Sequence, residues 1–197
     1  MRAGVALMTF FLLAGCVGSP SREARSARFD LGDPQARWPA AGVLIRQVEV
    51  HAAPWLESTA QYYRLNHSTP LRRQSYAESR WVAPPGVLLE QWLKRLILPR
   101  QPPGDLQRGC RLVIWLDELE QRFASASSSE VVLAARAALM LGPRMLAQEN
   151  LQIARPAATP DSAGGVIAAR AAVQALAESL AERWQRDASL AEACARG

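Results

Sequence analysis

Near the C-terminus, Val166, Ala169, Val173, Leu176, Leu180 and Trp184 recur every three or four residues. An α-helix turns once in about 3.6 residues, so these side chains form one apolar stripe along it. Asp161 and Ser162 can cap this helix, and Arg170, Glu178, Glu182 and Arg186 fall on its solvent side. A stripe of this kind is stable only against a second apolar surface. A second helix is marked by APPGVLLEQWLKRLILPR (83–100), in which Leu88, Leu89, Trp92, Leu93, Leu96 and Ile97 share one face. Pro84 and Pro85 sit where a helix start tolerates proline, and Pro99 stops it.

The surface that covers both stripes must come from the runs between them. AGVLIRQVEV (41–50), QYYRL (61–65) and LRRQSYAESRWV (71–82) read as strands, with Tyr76 and Trp81 as packing anchors of the third. CRLVIWLDELEQRF (110–123) begins as a strand whose apolar head alternates poorly. That pattern predicts the middle of a sheet with both faces covered, while its tail could continue as strand or helix. SEVVLAARAALML (129–141) is alanine-rich but alternates at Val131, Leu133, Ala135, Ala137 and Leu139. The serines before it and Gly142-Pro143-Arg144 after it suit hairpin connections, so it reads as a strand, as does MLAQENLQIARPA (145–157). The order is β-β-β-α-β-β-β-α. The expected class is α+β: one largely antiparallel or mixed sheet packed by two amphipathic helices.

The N-terminus is of a different kind. Arg2 precedes an apolar run from Val5 to Leu13, followed by Leu13-Ala14-Gly15-Cys16. The run is far below the roughly 20 residues that span a bilayer as a helix, so it reads as a cleaved secretory signal. Its end resembles the lipobox of bacterial lipoproteins, in which the cysteine is acylated and becomes the new N-terminus. The expected division is a signal peptide at 1–15, a lipidated flexible tether at 16–27 and one domain at 28–197. A single acyl chain anchors a protein only marginally. The three chains of the lipoprotein class on Cys16 imply a lasting hold. Val17 stands where inner-membrane lipoproteins usually carry aspartate, which resembles an outer-membrane address, with the domain facing the periplasm.

Lysine and arginine total 23 against 18 acids, a net charge of +5 with no dense basic cluster. The excess suits work beside anionic headgroups and sets nucleic-acid binding aside. Apolar residues make up 49% of the chain, which excludes a disordered one. Beyond Cys16, Cys110 and Cys194 can pair in an oxidising compartment or remain as two thiols.

Catalytic patterns are missing from the sequence. It has no phosphate-cradling glycine loop, no G-x-S-x-G elbow and no CxxC or HExxH, so neither a cofactor nor a metal is expected. His51 ends a strand and His67 lies in a polar turn. As a strand, LDELEQ places Glu118 and Glu120 on one face and Asp117 on the other. Such carboxylates could serve acid–base chemistry, though a solvated strand face explains them more simply. Pro54, Trp55 and Leu56 form an apolar knot at a strand end. It is either an exposed partner surface or, through Trp55, the floor of the core.

Several stretches occur in one order: RFDLG (28–32), V-x-A-A-P-W-L-E (50–57) leading into QYYR (61–64), YAESRWVAPP (76–85), and RPAATPD-x-x-G-G-V-x-A-A-R-A-A-V-Q-A-L (155–176). Together with the lipobox this resembles the ABC-type transport auxiliary lipoproteins, the group that includes the paraquat-inducible protein C type. Only Phe29 precedes the DLG here, where the family usually has an aromatic pair, and the strand before RPA reads NLQIA rather than carrying aromatics. The resemblance implies a non-catalytic lipoprotein that partners an MCE-domain protein and an integral permease-type protein. Such systems move lipids, phospholipids among them, between two membranes, and family members can form homo-oligomeric rings. The alternative is an assembly or plug lipoprotein for an outer-membrane β-barrel, similar to the LPS-assembly lipoprotein. A hydrolase built on His51, Glu118 and Glu120 is the third reading.

Overall fold

The computed structural model describes residues 26–36, 38–39, 42–98 and 108–196. Cys16, the signal peptide and most of the expected tether lie outside them. The strands are β1 (Ala27–Phe29), β2 (Ile45–Ala52), β3 (Ala60–Leu65), β4 (Arg73–Trp81), β5 (Cys110–Ser125), β6 (Ser128–Leu141) and β7 (Arg144–Pro156). The helices are α1 (Pro85–Ile97), α2 (Ser162–Trp184) and α3 (Ala188–Arg196). Among the described residues the fold is therefore one mixed sheet of seven strands with three helices, an α+β architecture.

Two elements exceed the expected order. β1 spans three residues and α3 nine, both too short to leave a periodic signal in the sequence. β1 lies parallel to β4, with Phe29 opposite Trp81. α3 is fixed by its only buried residue, Cys194, which forms a disulfide with Cys110 at the start of β5.

β5 organises the sheet. One edge pairs antiparallel with β6, and β6 in turn with β7. The other edge holds two strands end to end: β2 runs parallel to residues 110–116, and β3 parallel to 121–123. Between them, a single 3-10 turn at Pro54–Leu56 steps the chain from one to the other. The Ala53 N–H donates to the Leu116 carbonyl at 2.9 Å, keeping the chain attached up to that step. β4 pairs antiparallel with β3 and completes the path.

The helices share one face of the sheet. Leu112, Ile114 and Leu116 of β5, opposite Leu139, Ala137 and Ala135 of β6, point into the same buried cluster as Trp92, Leu93, Leu96 and Ile97 of α1. Ala169, Val173, Leu176, Leu180 and Trp184 of α2 join them, as the stripe predicts. The buried surface of α2 is wider than that stripe. Ala168, Ala172, Ala175, Ala177 and Ala181 are buried too, since small side chains let the helix settle close onto the sheet.

The other face carries no helix among the described residues, which corrects the expectation that β5 is covered on both sides. Val113, Val132 and Ala138 are buried there but lie outside the main cluster. The weak alternation of β5 has a second cause. The register shifts between Leu116 and Glu118, and this bulge moves the core-facing set from even to odd residues.

The RFDLG stretch forms a strap across the helix layer. Asp30 Oδ1 accepts the Gly32 N–H at 2.8 Å, in a turn where Gly32 has φ +61°. Arg95 of α1 donates to Asp33 at 2.9 Å and to the Gly32 carbonyl at 3.0 Å, while Arg170 of α2 donates to the Asp33 carbonyl at 3.2 Å. Leu31, Ala36 and Trp38 then bury themselves in the core.

Candidate functional site: two polar clusters across β5

The bulge in β5 sends Glu118, Glu120 and Arg122 to the open face. Glu120 is the most constrained of them, with a side chain 0% exposed. Arg64 of β3 donates from Nε to Oε1 at 3.1 Å, Arg122 from Nε to Oε1 at 2.9 Å, and Arg73 of β4 from Nε to Oε2 at 3.0 Å. Glu118 pairs with Arg122 and lies 3.8 Å from Arg73. Three guanidiniums thus meet two carboxylates. Burial pushes the Glu120 carboxyl upward, and the hydrogen bonds from Arg64, Arg122 and Arg73 outweigh it and hold the group below the usual carboxylate range. With its oxygens occupied in this way, Glu120 has little capacity left for taking a proton from a substrate.

The cluster continues through Arg73, whose guanidinium stacks 3.3 Å from the Trp55 ring centre, and Tyr62 meets that ring edge-on at 5.5 Å. The apolar knot is therefore divided. Pro54 is exposed, Trp55 is half-buried beneath Arg73, and Leu56 is fully buried. Leu56 is thereby corrected from partner surface to core: the 3-10 turn that links β2 to β3 aims it inward.

The remaining acid–base candidates do not converge with Glu120. Asp117 reaches the same open face through the bulge, not the opposite one, and pairs bidentately with Arg136 at 2.9 Å. His51 stacks at 6.2 Å on Trp115 and lies 3.9 Å from Glu49. His67 is exposed in the β3–β4 turn. Among the described residues no group of three His, Cys, Asp or Glu side chains could hold a metal ion.

On the helix face of the same strands is a small cleft lined by Gln61, Tyr62, Tyr76, Trp81, Gln121, Ser162, Gly165 and Val166. All of these but Gln121 of β5 come from three of the stretches quoted above, QYYR, YAESRWVAPP and the segment around the double glycine. The Tyr76 hydroxyl donates to Gln121 Oε1 at 2.9 Å, and Gln121 Nε2 donates to Ser129 Oγ at 2.8 Å. Burial, then the neighbouring Tyr63 and Asp161, push the Tyr76 hydroxyl well above its ordinary range, so it stays protonated as a donor. Ser79 donates to Gln61 Oε1 at 2.8 Å, while Gln61 Nε2 has no protein partner. A Cβ on Gly165 would overlap Gln121, and one on Gly164 would overlap the Thr159 backbone. Asp161 caps α2 by accepting the Gly164 N–H at 2.7 Å.

Gly86, directly after YAESRWVAPP, meets V-x-A-A-P-W-L-E in the same manner. A Cβ on Gly86 would come within 2.8 Å of Ala52 Cβ, so glycine lets α1 start directly against the end of β2. The residues that carry the family resemblance thus meet one another in space, as contacts that close the fold.

No family model and no curated protein matches the chain. Among solved structures, the fold is similar to the crystal structure of a Xanthomonas campestris protein of the DUF330 family, with a TM-score of 0.65 and 21% identity over 78% of this chain and 92% of that one. The two chains share a fold. A second crystal structure, of an uncharacterized protein, matches with a TM-score of 0.61 and 13% identity over 80% of this chain and 97% of that one.

The sequence alone did not reveal the buried Glu120. Its one signal was the alternation Glu118, Glu120, Arg122 on a strand otherwise rich in apolar residues. The matching arginines, Arg64 and Arg73, lie on two other strands.

Proposed function

We propose that this protein is a non-catalytic, lipid-anchored and periplasm-facing subunit of an MCE-type, ABC-type intermembrane lipid transport system, docking the assembly at the outer membrane. Cys16 would carry the acyl chains, and the domain would meet an MCE-domain protein and a permease-type membrane protein. The observation that carries this reading is the convergence of Gln61, Tyr76, Trp81 and Gly165 on one cleft. Motifs that are individually weak in sequence become parts of one contact system, as expected of a shared fold rather than of chance similarity.

A docking role is also supported by the state of the acids. Glu120 is taken up by three arginines and Asp117 by Arg136, which leaves these carboxylates as ion-pair partners. Among the described residues no helix is long and apolar enough to cross a membrane.

The test is affinity isolation of the full chain from detergent-solubilised outer membranes. Co-purification of an MCE-domain protein with a permease-type protein is the expected result. Recovery of a β-barrel protein without an MCE partner would overturn the proposal in favour of the assembly-lipoprotein reading. Severe loss of cellular function in a folded His51→Ala or Glu118→Ala variant would revive a hydrolase.

A further inference from the structure

One end of the sheet is closed by three connecting segments. Leu65 of β3 is paired with Phe123 of β5, Ser125 of β5 with Ser128 of β6, and Glu130 of β6 with Pro156 of β7. Residues 66–72, 125–128 and 156–160 therefore lie side by side at this end. None of them is aspartate or glutamate. The acids that border these segments are Glu130, exposed on β6 opposite Pro156, and Asp161, which accepts hydrogen bonds from Gly164 and Thr159 and is thereby tied to the start of α2.

The β3–β4 turn projects from this end and presents Leu71, 95% exposed, beside exposed Arg72. The turn is held from within. Thr69 N–H donates to the Leu65 carbonyl at 2.8 Å and Arg72 N–H to the Thr69 carbonyl at 3.0 Å. Arg64 Nη1 donates to the Pro70 carbonyl at 2.8 Å while its Nε holds Glu120. A leucine kept in water on a fixed turn that carries a cation and no acid has the chemistry of a headgroup-layer contact.

The direction of the chain agrees. β1 runs parallel to β4, so its N-terminal end points toward the β3–β4 turn. Ala27 pairs with Ser79, and the strand runs back from there to Arg73, about 20 Å at ~3.3 Å per residue. The ten or so residues that join Cys16 to Ser26 can span up to ~35 Å when extended. Acyl chains on Cys16 can therefore lie in the bilayer that Leu71 touches.

We infer that this end of the sheet, whose connecting segments carry no acid, rests on an anionic bilayer, with Leu71 in the headgroup layer and Arg72 against lipid phosphate. The inference depends on the lipid-anchor reading of Cys16 and adds an orientation to it. The β6–β7 turn and the Cys110–Cys194 disulfide then face away from the membrane, toward incoming partners.

The test uses the full lipidated chain carrying Leu71→Cys, labelled with an environment-sensitive fluorophore, on phosphatidylethanolamine–phosphatidylglycerol vesicles. Met145→Cys, at the far end of the sheet, is the control. The expected result is a blue shift and severalfold stronger quenching by spin-labelled lipid at position 71 than at 145. Arg72→Glu should weaken that quenching severalfold. Vesicle flotation reports the anchor separately. A protein that floats with equal, weak quenching at both positions overturns this inference and leaves the anchor standing. A change at position 71 that requires added partner protein assigns the tip to a protein contact and also overturns it. A chain that does not float overturns both.

Discussion

Replacing Glu120 by glutamine removes one negative charge and almost no volume from the centre of three guanidiniums. The carboxylate is fully buried and bonded to Arg64, Arg73 and Arg122, whose side chains are only 19%, 25% and 25% exposed. Removing one partner of a buried ionic network leaves the others uncompensated and costs about 3–5 kcal/mol. For a domain of this size each kcal/mol lowers Tm by about 2–4 °C, so E120Q should melt some ~6–20 °C below wild type at pH 7. The sign of the pH dependence follows from the depressed carboxyl. Its contribution is fully present above the ordinary value of 4.5 and is lost as pH falls through the lower folded-state value. Glutamine has no such proton, so the gap between wild type and E120Q should close in strong acid. Other depressed carboxyls such as Glu90 weaken both proteins in acid, and only the difference isolates Glu120. Paired circular-dichroism melts from pH 7 to pH 2, with the disulfide intact, measure it. A gap below ~0.5 kcal/mol at pH 7, or one unchanged at pH 2, would refute the reasoning.

The Cys110–Cys194 disulfide closes a loop of 84 residues, so Cys194→Ser should cost about 4–5 kcal/mol in urea unfolding on the chain-entropy account. Equal midpoints for oxidised and reduced protein would contradict it. Leu56→Ala should lose about 2–5 kcal/mol and Pro54→Ala under ~0.5, since one is fully buried and the other exposed. Similar losses at the two positions would sink the division of the knot. Gly164→Ala should cost about 1–3 kcal/mol in the same assay, because its Cβ meets the Thr159 backbone, and a neutral result would show that the loop can give way.

The elements legible in the sequence were those long enough to show a period. α1 and α2 announced themselves by their stripes, and β6 by the alternation from Val131 to Leu139. β1 and α3 escaped because three and nine residues leave no periodic pattern. The bulge after Leu116 was hidden for a different reason. Counting by twos along LDELEQ puts Asp117 opposite Glu118, and an added residue in the strand undoes that parity. The Glu120 cluster depends on β3 and β4 meeting the distal half of β5, which is a fact of topology. Leu56 was misplaced because hydrophobicity alone does not say which way a 3-10 turn points its last residue. Gly86, Gly164 and Gly165 are the places where two elements approach too closely for a side chain, a constraint that composition and periodicity do not show.

The account rests on a domain held to a bilayer through Cys16, and the intact mass of the mature protein extracted from cell envelopes tests this most directly. The expected mass lacks the first fifteen residues and gains a diacylglyceryl group and a third acyl chain on Cys16. A chain that retains its N-terminus, or begins elsewhere with an unmodified thiol, would contradict the account.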